Sequence, residues 1–403
     1  MNLLYHVGLS LYWLGIFVAS FINQKAKKRI KGSASWRKQL KDLPSEKKRI
    51  WIHAASYGEF EQGRPVFDAL CAQYPNHHIV LTFFSPSGFD AFRKYEGADT
   101  VLYLPFDFAW NSSAFVTYLQ PEIAVFVKYD FWINYLTACG RAKIPVVYFS
   151  SVFRERQHFF KWYGNFFRSA LRLVDHFFVQ DFKSVELLGS AGIRHVSVIG
   201  DTRVDRVLKV REEEKSFSAI DRFKGKSTLL VAGSTWAEDD RLLAKWLDKA
   251  KGCKLIIAPH ELSEQRLRAL KQRFHNAGLW STSDFERAQV LIIDEMGWLK
   301  YLYQFGDFCY VGGGFGKGIH NTLEALVWEK PVFFGPNYQK FEEAKDILRL
   351  EVGAVVQDST DLYGQMNLFK QDRDTVAEQI QHYFNVKKGA TSAVMSYLKK
   401  LLG

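Results

Sequence analysis

The sequence predicts an α/β protein with two domains, each built on a parallel β-sheet. From residue 50 onward, short apolar runs rich in β-branched and aromatic residues alternate with segments of helical length. A charged, polar segment at residues 207–227 interrupts the alternation, and a second series begins at Thr228. Strands that alternate with helices form βαβ units, and a chain of 403 residues is long enough for two such domains behind a short leader.

The predicted strands fall into two series, one on each side of the polar segment. They are Ile50–Ala54, His78–Phe83, Thr100–Leu104, Ile123–Phe126, Val146–Phe149, His176–Val179 and Val196–Ile199, then Thr228–Ala232, Lys254–Ala258, Val290–Ile293, Phe308–Val311 and Pro331–Phe334. Ligands of parallel sheets bind beyond the carboxyl ends of the strands. We therefore expect the active site between two such domains.

The leader, residues 1–24, carries no charged side chain, and Leu3–Ile22 is long enough as a helix to cross a bilayer. A cleaved signal peptide would have its positive charge before the apolar run, whereas here the charge follows it. The sequence favours an uncleaved, single-pass anchor with the body on the cytoplasmic side. A helix that lies in the membrane interface, or a core helix of the first domain, remains an alternative.

The net charge of +11, from 54 Lys plus Arg and 43 Asp plus Glu, is unevenly distributed. Residues 25–49 form a basic collar in which eleven basic residues stand against two acidic ones. Such a cluster beside an apolar helix predicts binding to anionic lipid of the inner membrane. The rest of the chain is nearly neutral and shows no nucleic-acid-binding motif, so we expect no nucleic-acid partner.

A first candidate site is the segment His53-Ala-Ala-Ser-Tyr-Gly-Glu59, which follows the first strand and begins a helix. The helix dipole at this position favours an ionised Glu59 carboxylate, which could act as a general base toward a hydroxyl. The alternative is an ordinary glutamate that stabilises the start of its own helix.

A second candidate site is the glycine-rich segment Tyr310-Val-Gly-Gly-Gly-Phe-Gly-Lys-Gly-Ile-His-Asn-Thr-Leu-Glu-Ala325. Glycines let a backbone approach a ligand closely, and the N–H groups of a helix that begins near Asn321 could bind phosphate. Asn321 could instead be only the N-cap, with Glu324 as its capping-box partner. The segment lacks the Walker A and Rossmann spacings.

Turns after other strands of the second domain are expected at the same sheet edge. These turns are Gly233-Ser-Thr235, Pro259-His260 and Asp294-Glu-Met-Gly297. His260 and His320 are possible ligand contacts, although a lone histidine is more often structural. The four cysteines and the acidic and histidine residues show no metal-ligand spacing, so we predict free thiols and no metal or cofactor.

Taken in order, the motifs of this chain resemble those of the Kdo transferases, which transfer 3-deoxy-D-manno-octulosonic acid (Kdo) from CMP-Kdo to the lipid A precursor. The resemblance runs over nearly the whole length. It rests on Trp51-Ile-His-Ala-Ala-Ser-Tyr-Gly-Glu59, Thr82-x-x-Ser-Pro-Ser-Gly88, Tyr103-Leu-Pro-Phe-Asp107, Trp132-x-Asn134, Gly200-Asp-Thr-Arg-Val-Asp205, Gly233-Ser-Thr235, Asp294-Glu-Met-Gly297, Gly312-Gly313, His320-Asn-x-Leu-Glu324 and Gly335-Pro336.

The resemblance implies a GT-B glycosyltransferase of lipopolysaccharide biosynthesis at the inner membrane, inverting and independent of metal. It implies an acceptor-binding domain at residues 50–206, the linker at 207–227, a CMP-sugar-binding domain at 228–380 and a helical tail at 381–403. Glu59 becomes the general base, and Arg203 stabilises the leaving group. The implied donor contacts are Ser234, Thr235, Pro259, His260, Met296, Gly297, Trp298, Gly313, Gly314, Asn321, Thr322, Leu323 and Glu324.

The chain departs from the family pattern at several of these positions. Lys128, in Lys128-Tyr-Asp-Phe-Trp-Ile-Asn134, replaces a glutamate and is included as a catalytic candidate. Histidine and tryptophan stand at His260 and Trp298 where the family has arginine and glutamate, and Arg203 replaces a lysine. These changes leave open a transferase or epimerase that uses another nucleotide sugar, or an inert membrane-bound scaffold of the same fold.

Overall fold

Tertiary contacts divide the chain into two units. The first comprises Met1–Arg206 and Lys387–Gly403, and the second comprises Val207–Val386. The computed structural model describes residues 2–44, 46–213, 215–282 and 285–403. The remaining residues fall within the predicted anchor, collar, linker and second domain and lie outside the described part. They are Met1, Ser45, Glu214, Ser283 and Asp284.

Each unit contains one seven-stranded sheet in which every pair of neighbouring strands is parallel. The first sheet contains β1 (Arg49–Ala54), β2 (His78–Phe83), β3 (Thr100–Tyr103), β4 (Ile123–Val127), β5 (Val146–Ser151), β6 (His176–Val179) and β7 (Val196–Val198). The second contains β8 (Thr228–Thr235), β9 (Cys253–Pro259), β10 (Ala277–Leu279), β11 (Val290–Ile292), β12 (Phe308–Val311), β13 (Val332–Phe334) and β14 (Gly353–Val355).

Helices follow most of the strands. Those up to the division between the units are α1 (Asn2–Ala19), α2 (Gln24–Gly32), α3 (Trp36–Lys41), α4 (Tyr57–Gln73), α5 (Pro86–Phe92), α6 (Ala109–Leu119), α7 (Ile133–Ala142), α8 (Asn165–Leu171), α9 (Phe182–Ser190) and α10 (Thr202–Glu212). The later ones are α11 (Ser218–Lys224), α12 (Ala237–Lys249), α13 (Glu264–Arg273), α14 (Leu299–Leu302), α15 (Leu323–Leu326), α16 (Glu342–Arg349), α17 (Ser359–Phe369), α18 (Arg373–Lys387) and α19 (Ala390–Leu402).

Both sheets have a strand order that reverses beside their first strand. The orders are β3-β2-β1-β4-β5-β6-β7 and β10-β11-β9-β8-β12-β13-β14. The chain therefore leaves β1 and β8 toward one side and later returns to the other side, at β4 and β12. The helices that follow the two central strands diverge at such a point and leave a crevice at the carboxyl ends.

The strands form where the apolar runs predict them, because parallel strands are covered by helices on both faces and are apolar throughout. Strands β2 and β4 are buried at every residue. Two strands, β10 and β14, were not predicted from the sequence. Their sequences, Ala-Gly-Leu and Gly-Ala-Val, are short and contain residues of low strand propensity.

The leader forms α1, which ends at Ala19, before the end of the predicted apolar span. The chain then turns, and the Asn23 side chain caps α2 by accepting from the N–H groups of Lys25 and Ala26. Within the described residues, no helix has both the length and the apolarity needed to cross a membrane. The predicted spanning anchor is therefore unconfirmed. On one side α1 packs against the first unit, where Tyr5 contacts Phe166 at a ring-centroid distance of 5.7 Å.

The basic collar folds onto the first sheet and its helices. Lys28 forms an ion pair with Asp90 and Lys48 forms one with Glu122, both at 2.6 Å. Arg29 is buried, with its guanidinium over the rings of Phe84 and Phe106. Part of the positive charge that predicted lipid binding is thus used within the fold. Exposed lysines of the collar include Lys25, Lys27, Lys31, Lys38 and Lys41.

The predicted linker contains the end of α10 and all of α11, whose Ile220 and Phe223 are buried. The end of the chain returns to the first unit, where α19 adds Val394 and Leu398 to the core over β1 and β5. Helix α19 begins after Gly389 without a cap from its own side chains. Asp205 supplies the cap, since its carboxylate accepts from Gly389 N–H at 2.7 Å and Thr391 N–H at 2.6 Å.

Asp205→Ala should release the start of α19 without changing the sheet. Loss of an N-cap costs about 1 kcal/mol, which lowers a melting midpoint by about 2–4 °C for a domain of this size. Hydrogen exchange should rise in the amides of residues 390–402. Asp248→Ala removes an exposed carboxylate from the surface of α12 and serves as the control. Unchanged exchange at 390–402 in Asp205→Ala would contradict the capping role.

Candidate functional site

Glu59 lies at the strand-order reversal of the first sheet. It is in the first turn of α4, which follows β1, and its neighbour across the reversal is the end of β4. The Glu59 carboxylate is partly buried, and its Oε2 accepts a hydrogen bond from Ala55 N–H at 2.8 Å. The contact that a helix-stabilising glutamate would make is therefore present. It also holds the carboxylate at the carboxyl edge of the sheet.

The surroundings of Glu59 raise its pKa to about 7. Burial is the largest cause, and the negative charge of Asp130 adds to it. The positive charge of Lys128 and hydrogen bonds from the backbone at Ala55 and Ser56 act in the opposite direction. A carboxylate with a pKa near 7 can accept a proton at neutral pH and release it afterwards.

Lys128 follows β4 in a left-handed backbone conformation, with φ of 63°. This conformation costs a residue other than glycine roughly 1–2 kcal/mol. Two contacts hold it: Lys128 N–H donates to Phe149 O at 2.9 Å, and the Ser151 hydroxyl donates to Lys128 O at 2.5 Å. The strained backbone places Lys128 where its charge acts on Glu59.

His53, at the end of β1, is fully buried beside this segment. The Trp132 indole N–H donates to His53 Nε2 at 3.4 Å, and His53 Nδ1 lies 2.9 Å from the Thr82 hydroxyl. An indole N–H is only a donor, so Nε2 accepts and Nδ1 carries the proton. Asp130 Oδ2 lies 3.5 Å from His53 Nε2. Sequence reasoning missed Asp130 and Trp132 as site residues, although both lie in the motif that begins at Lys128.

Arg203 lies in the first unit and forms an ion pair with Asp201, with Nη2 to Oδ2 at 2.6 Å. The Gln62 amide donates to the other Asp201 oxygen at 3.0 Å. Burial and the charge of Glu59 raise the pKa of the Tyr129 phenol, and the charges of Arg154 and Arg203 oppose the rise, so Arg203 and Glu59 both act on Tyr129. The structure thus brings Arg203, Tyr129 and Glu59 into one neighbourhood, with Arg203 already paired to a carboxylate.

The predicted donor contacts lie in the second unit, and several meet at its own strand-order reversal. Strand β8 ends at Ser234 and Thr235, and the glycine-rich loop follows its neighbour β12. Ser234 has a positive φ of 53°. His260 N–H, after β9, donates to Thr235 O at 3.1 Å.

Asp239, which sequence reasoning missed, holds the glycine-rich loop in place through hydrogen bonds. This buried carboxylate accepts from Gly313 N–H at 2.9 Å, Trp236 N–H at 2.8 Å and the Tyr310 hydroxyl at 2.7 Å. Burial raises the pKa of Asp239, and these hydrogen bonds oppose the rise. The only local signal was the acidic first turn of α12.

The glycines of the loop serve packing within the protein. A Cβ at Gly312 would lie 2.5 Å from Ser234 O, and one at Gly314 would lie 2.6 Å from the Gly335 backbone. Gly313 has a positive φ of 93°. Glycine is therefore required here to bring β8, the loop and the turn after β13 together, whether or not a ligand also approaches.

An aromatic stack covers the loop. The Trp236 and His260 rings stack with centroids 4.7 Å apart, and His260 and His320 stack at 4.3 Å. The Trp236 indole N–H donates to His320 Nε2 at 3.1 Å. Burial and the neighbouring His260 lower the pKa of His320 to about 4, so His320 is neutral at physiological pH. Trp236 was not identified from the sequence.

The predicted phosphate-binding helix is shorter than expected. It is α15, which spans only Leu323–Leu326, with Thr322 rather than Asn321 at its N-cap. Asn321 Oδ1 accepts from Leu323 N–H at 3.2 Å, and its amide donates to Glu324 at 3.1 Å. One turn of helix has little dipole, so Asn321 and Glu324 shape the turn through their side chains.

The remaining predicted contacts lie at the ends of β9 and β11. Pro259 is the last residue of β9, and Met296 is 76% exposed beside Gly297, whose φ is 92°. Trp298 instead packs against Trp280, with ring centroids 5.4 Å apart. In the described residues, no group of three or more histidine, cysteine or acidic side chains is arranged to hold a metal ion.

Sequence comparison finds Kdo transferases among the relatives of this chain. The family model for "3-Deoxy-D-manno-octulosonic-acid transferase (kdotransferase)" matches residues 33–206. The chain is 28% identical over 328 residues to 3-deoxy-D-manno-octulosonic acid transferase of Chlamydia pneumoniae, covering 76% of this chain and 74% of that one. It is 26% identical over 330 residues to the enzyme of the same name from Aquifex aeolicus, covering 79% and 85%.

Solved structures share the fold. UDP-GlcNAc 2-epimerase from Neisseria meningitidis has a TM-score of 0.61 at 14% identity, covering 87% of this chain and 100% of that one. A glycosyltransferase from Rickettsia africae has a TM-score of 0.57 at 11% identity, covering 89% and 99%. Together with the two parallel-sheet units, this likeness confirms the GT-B fold. The relatives found by sequence are named Kdo transferases, which are glycosyltransferases, and they support the same assignment for this chain.

Proposed function

We propose that this protein transfers Kdo from CMP-Kdo to a lipid A precursor, with Glu59 as the general base. The observation that carries the proposal is the partly buried Glu59 carboxylate, with a pKa of about 7, at the strand-order reversal of a Kdo transferase family member. An ordinary surface glutamate would be fully ionised at neutral pH and would be a weaker base.

The proposed reaction is a single displacement with inversion. A hydroxyl oxygen of the acceptor forms a bond to the anomeric carbon of Kdo as its proton passes to Glu59. The bond from that carbon to the CMP phosphate oxygen breaks, and CMP departs with the electron pair. Arg203 would stabilise the developing negative charge, which requires that it share its guanidinium with Asp201.

The second unit is proposed to bind the donor nucleotide. Ser234, the glycine-rich loop and the stack of Trp236, His260 and His320 form a rim with both hydrogen-bonding and flat aromatic groups. Such a rim can hold a phosphate and stack on a pyrimidine. Because UDP-GlcNAc 2-epimerases share the fold, the choice of CMP rests on family membership and needs a direct test.

Catalysis without a metal ion is part of the same proposal. Proton transfer to Glu59 and charge stabilisation by Arg203 and backbone N–H groups would together supply what a metal provides in other transferases.

We further propose that the protein acts on the cytoplasmic face of the inner membrane, with α1 lying in the interface. Several apolar side chains at and just beyond α1 are largely exposed: Leu3, Leu4, Leu11, Phe21 and Ile22. An apolar helix flanked by exposed lysines favours the surface of an anionic bilayer, at about 1 kcal/mol per basic residue. The lipid acceptor lies in that surface.

Glu59→Gln should lower kcat by at least about 100-fold, because general-base catalysis contributes roughly 10²–10⁴-fold. Transfer would be measured by mass spectrometry of the product formed from CMP-Kdo and a tetra-acylated lipid A precursor. Glu61→Gln, in the same helix but paired with Arg206, is the matched control and should stay near the wild-type rate. A Glu59→Gln enzyme of similar rate would exclude Glu59 as the base.

The pH dependence of kcat/KM should rise with pH up to about 7, since only the ionised Glu59 accepts a proton. Lys128→Met removes a charge that lowers the pKa of Glu59, so the acidic limb should move to higher pH. Lys128→Arg keeps the charge and should leave the limb in place. If the acidic limb of kcat/KM lies at the same pH in wild type, Lys128→Met and Lys128→Arg, Lys128 does not influence the pKa of Glu59.

CMP should stabilise the protein against thermal unfolding more than UDP or ADP does. Asp239→Asn places an amide N–H₂ against donors that now reach a carboxylate, so the loop should loosen and CMP affinity fall about tenfold, or about 1.4 kcal/mol. Asp248→Asn, exposed on the same helix, is the control. Preference for UDP or ADP over CMP would overturn the proposed donor.

A further inference from the structure

A buried carboxylate away from Glu59 joins several elements of the first unit. Asp107 follows β3 and is 1% exposed. Its Oδ1 accepts from the Ser112 hydroxyl at 2.9 Å and from Tyr135 N–H at 3.0 Å. Its Oδ2 accepts from Asn134 N–H at 3.0 Å and from the Tyr5 hydroxyl at 2.7 Å. Both oxygens thus bind the start of α7, and Oδ2 also binds the N-terminal helix α1.

The segment that faces Glu59 is held in place at the start of α7. Residues 128–132 run from Lys128 through Asp130 to Trp132, the N-cap of α7. Asp107 accepts from Asn134 N–H and Tyr135 N–H, two of the groups in the first turn that have no partner inside the helix. Because Trp132 donates to His53 Nε2, the position of the helix start also sets the contacts beside β1.

The N-terminal helices contact the same region at further points. Tyr12 of α1 stacks on Phe84 at a centroid distance of 6.4 Å, and Phe84 packs on Trp132 at 4.8 Å. Arg29 of α2 lies over Phe84 at 4.3 Å and donates to Leu104 O at 2.7 Å. Helices α1 and α2 therefore both contact Phe84, which in turn packs on Trp132 at the start of α7.

We infer that Tyr5 and Asp107 are positioning residues that couple docking of α1 on the first unit to the placement of residues 128–134 beside Glu59. The leader's hydrogen bond to Asp107 comes from the Tyr5 hydroxyl, so the link is open to a one-atom test. When α1 docks, the Tyr5 hydroxyl completes the set of hydrogen-bond donors to the Asp107 carboxylate, and the start of α7 is fixed. When α1 leaves, Asp107 loses one donor and Phe84 loses Tyr12. The inference rests on the proposed role of Glu59 for its effect on turnover, but not for the coupling itself.

The test compares full-length wild type, Tyr5→Phe, Asp107→Asn, their double variant and Ser10→Ala. Ser10→Ala is the matched control, because the Ser10 hydroxyl donates to His6 O within α1 itself. Three measurements are made on each protein: hydrogen exchange of peptides covering residues 128–136, steady-state kcat and KM with CMP-Kdo and lipid acceptor, and the melting midpoint.

Tyr5→Phe should increase exchange in residues 128–136 and lower kcat about five- to tenfold, with little change in the donor KM. Asp107→Asn should act in the same direction more strongly, and the double variant should resemble Asp107→Asn, since both changes break one link. Ser10→Ala should match wild type. Additive effects of the two substitutions would show independent roles and overturn the coupling.

Two other outcomes would also overturn it. In one, Tyr5→Phe matches Ser10→Ala in both exchange and kcat. In the other, Tyr5→Phe lowers only the melting midpoint, which is the result expected of a merely structural contact. If wild type does not transfer Kdo at all, the proposed function fails, and the exchange comparison still decides whether α1 is coupled to residues 128–134.

Discussion

The fold within each unit depends on one topological constraint, the reversal of strand order beside its first strand, β1 or β8. Right-handed crossovers send the chain to one side of the first strand and later to the other, so the following helices diverge. At this point backbone and side-chain groups can reach a ligand without a helix in the way. Glu59 and Lys128 lie at the reversal of the first sheet, and Ser234 and Gly313 lie at that of the second.

The charges around Glu59 explain how a single residue can be both structural and reactive. Its hydrogen bond from Ala55 N–H favours the ionised form, as a capping glutamate would require. Burial and Asp130 act against ionisation and outweigh it, so the pKa lies near 7. Lys128 stands where the resemblance to the Kdo transferases implies a glutamate, and its positive charge lowers the pKa of Glu59. The pKa of Glu59 is thus set by a balance of opposed contributions rather than by one contact.

The N-terminal segment illustrates why composition alone was ambiguous. In sequence, an uncharged apolar run followed by a basic cluster favours a spanning anchor but also fits an interfacial helix. In the structure, Tyr5 and Tyr12 face the first unit and Arg29 is buried between aromatic rings. These contacts use polar and cationic groups that sequence reasoning assigned to the membrane. The exposed side of α1 and the remaining exposed lysines are still available to a bilayer.

The sequence by itself determined most of the strands, their alternation with helices, the two-domain α/β class and the resemblance to the Kdo transferases, because apolar runs and contiguous motifs are local. It also located Glu59 and the glycine-rich loop. Only the tertiary structure decided which distant groups hold them. Asp239 lies 74 residues from the Gly313 N–H it binds, Tyr5 lies 102 residues from Asp107, and Asp205 caps a helix 186 residues away at Thr391. A carboxylate leaves no local pattern when its donors come from remote elements, since the hydrogen bonds exist only after the chain has folded.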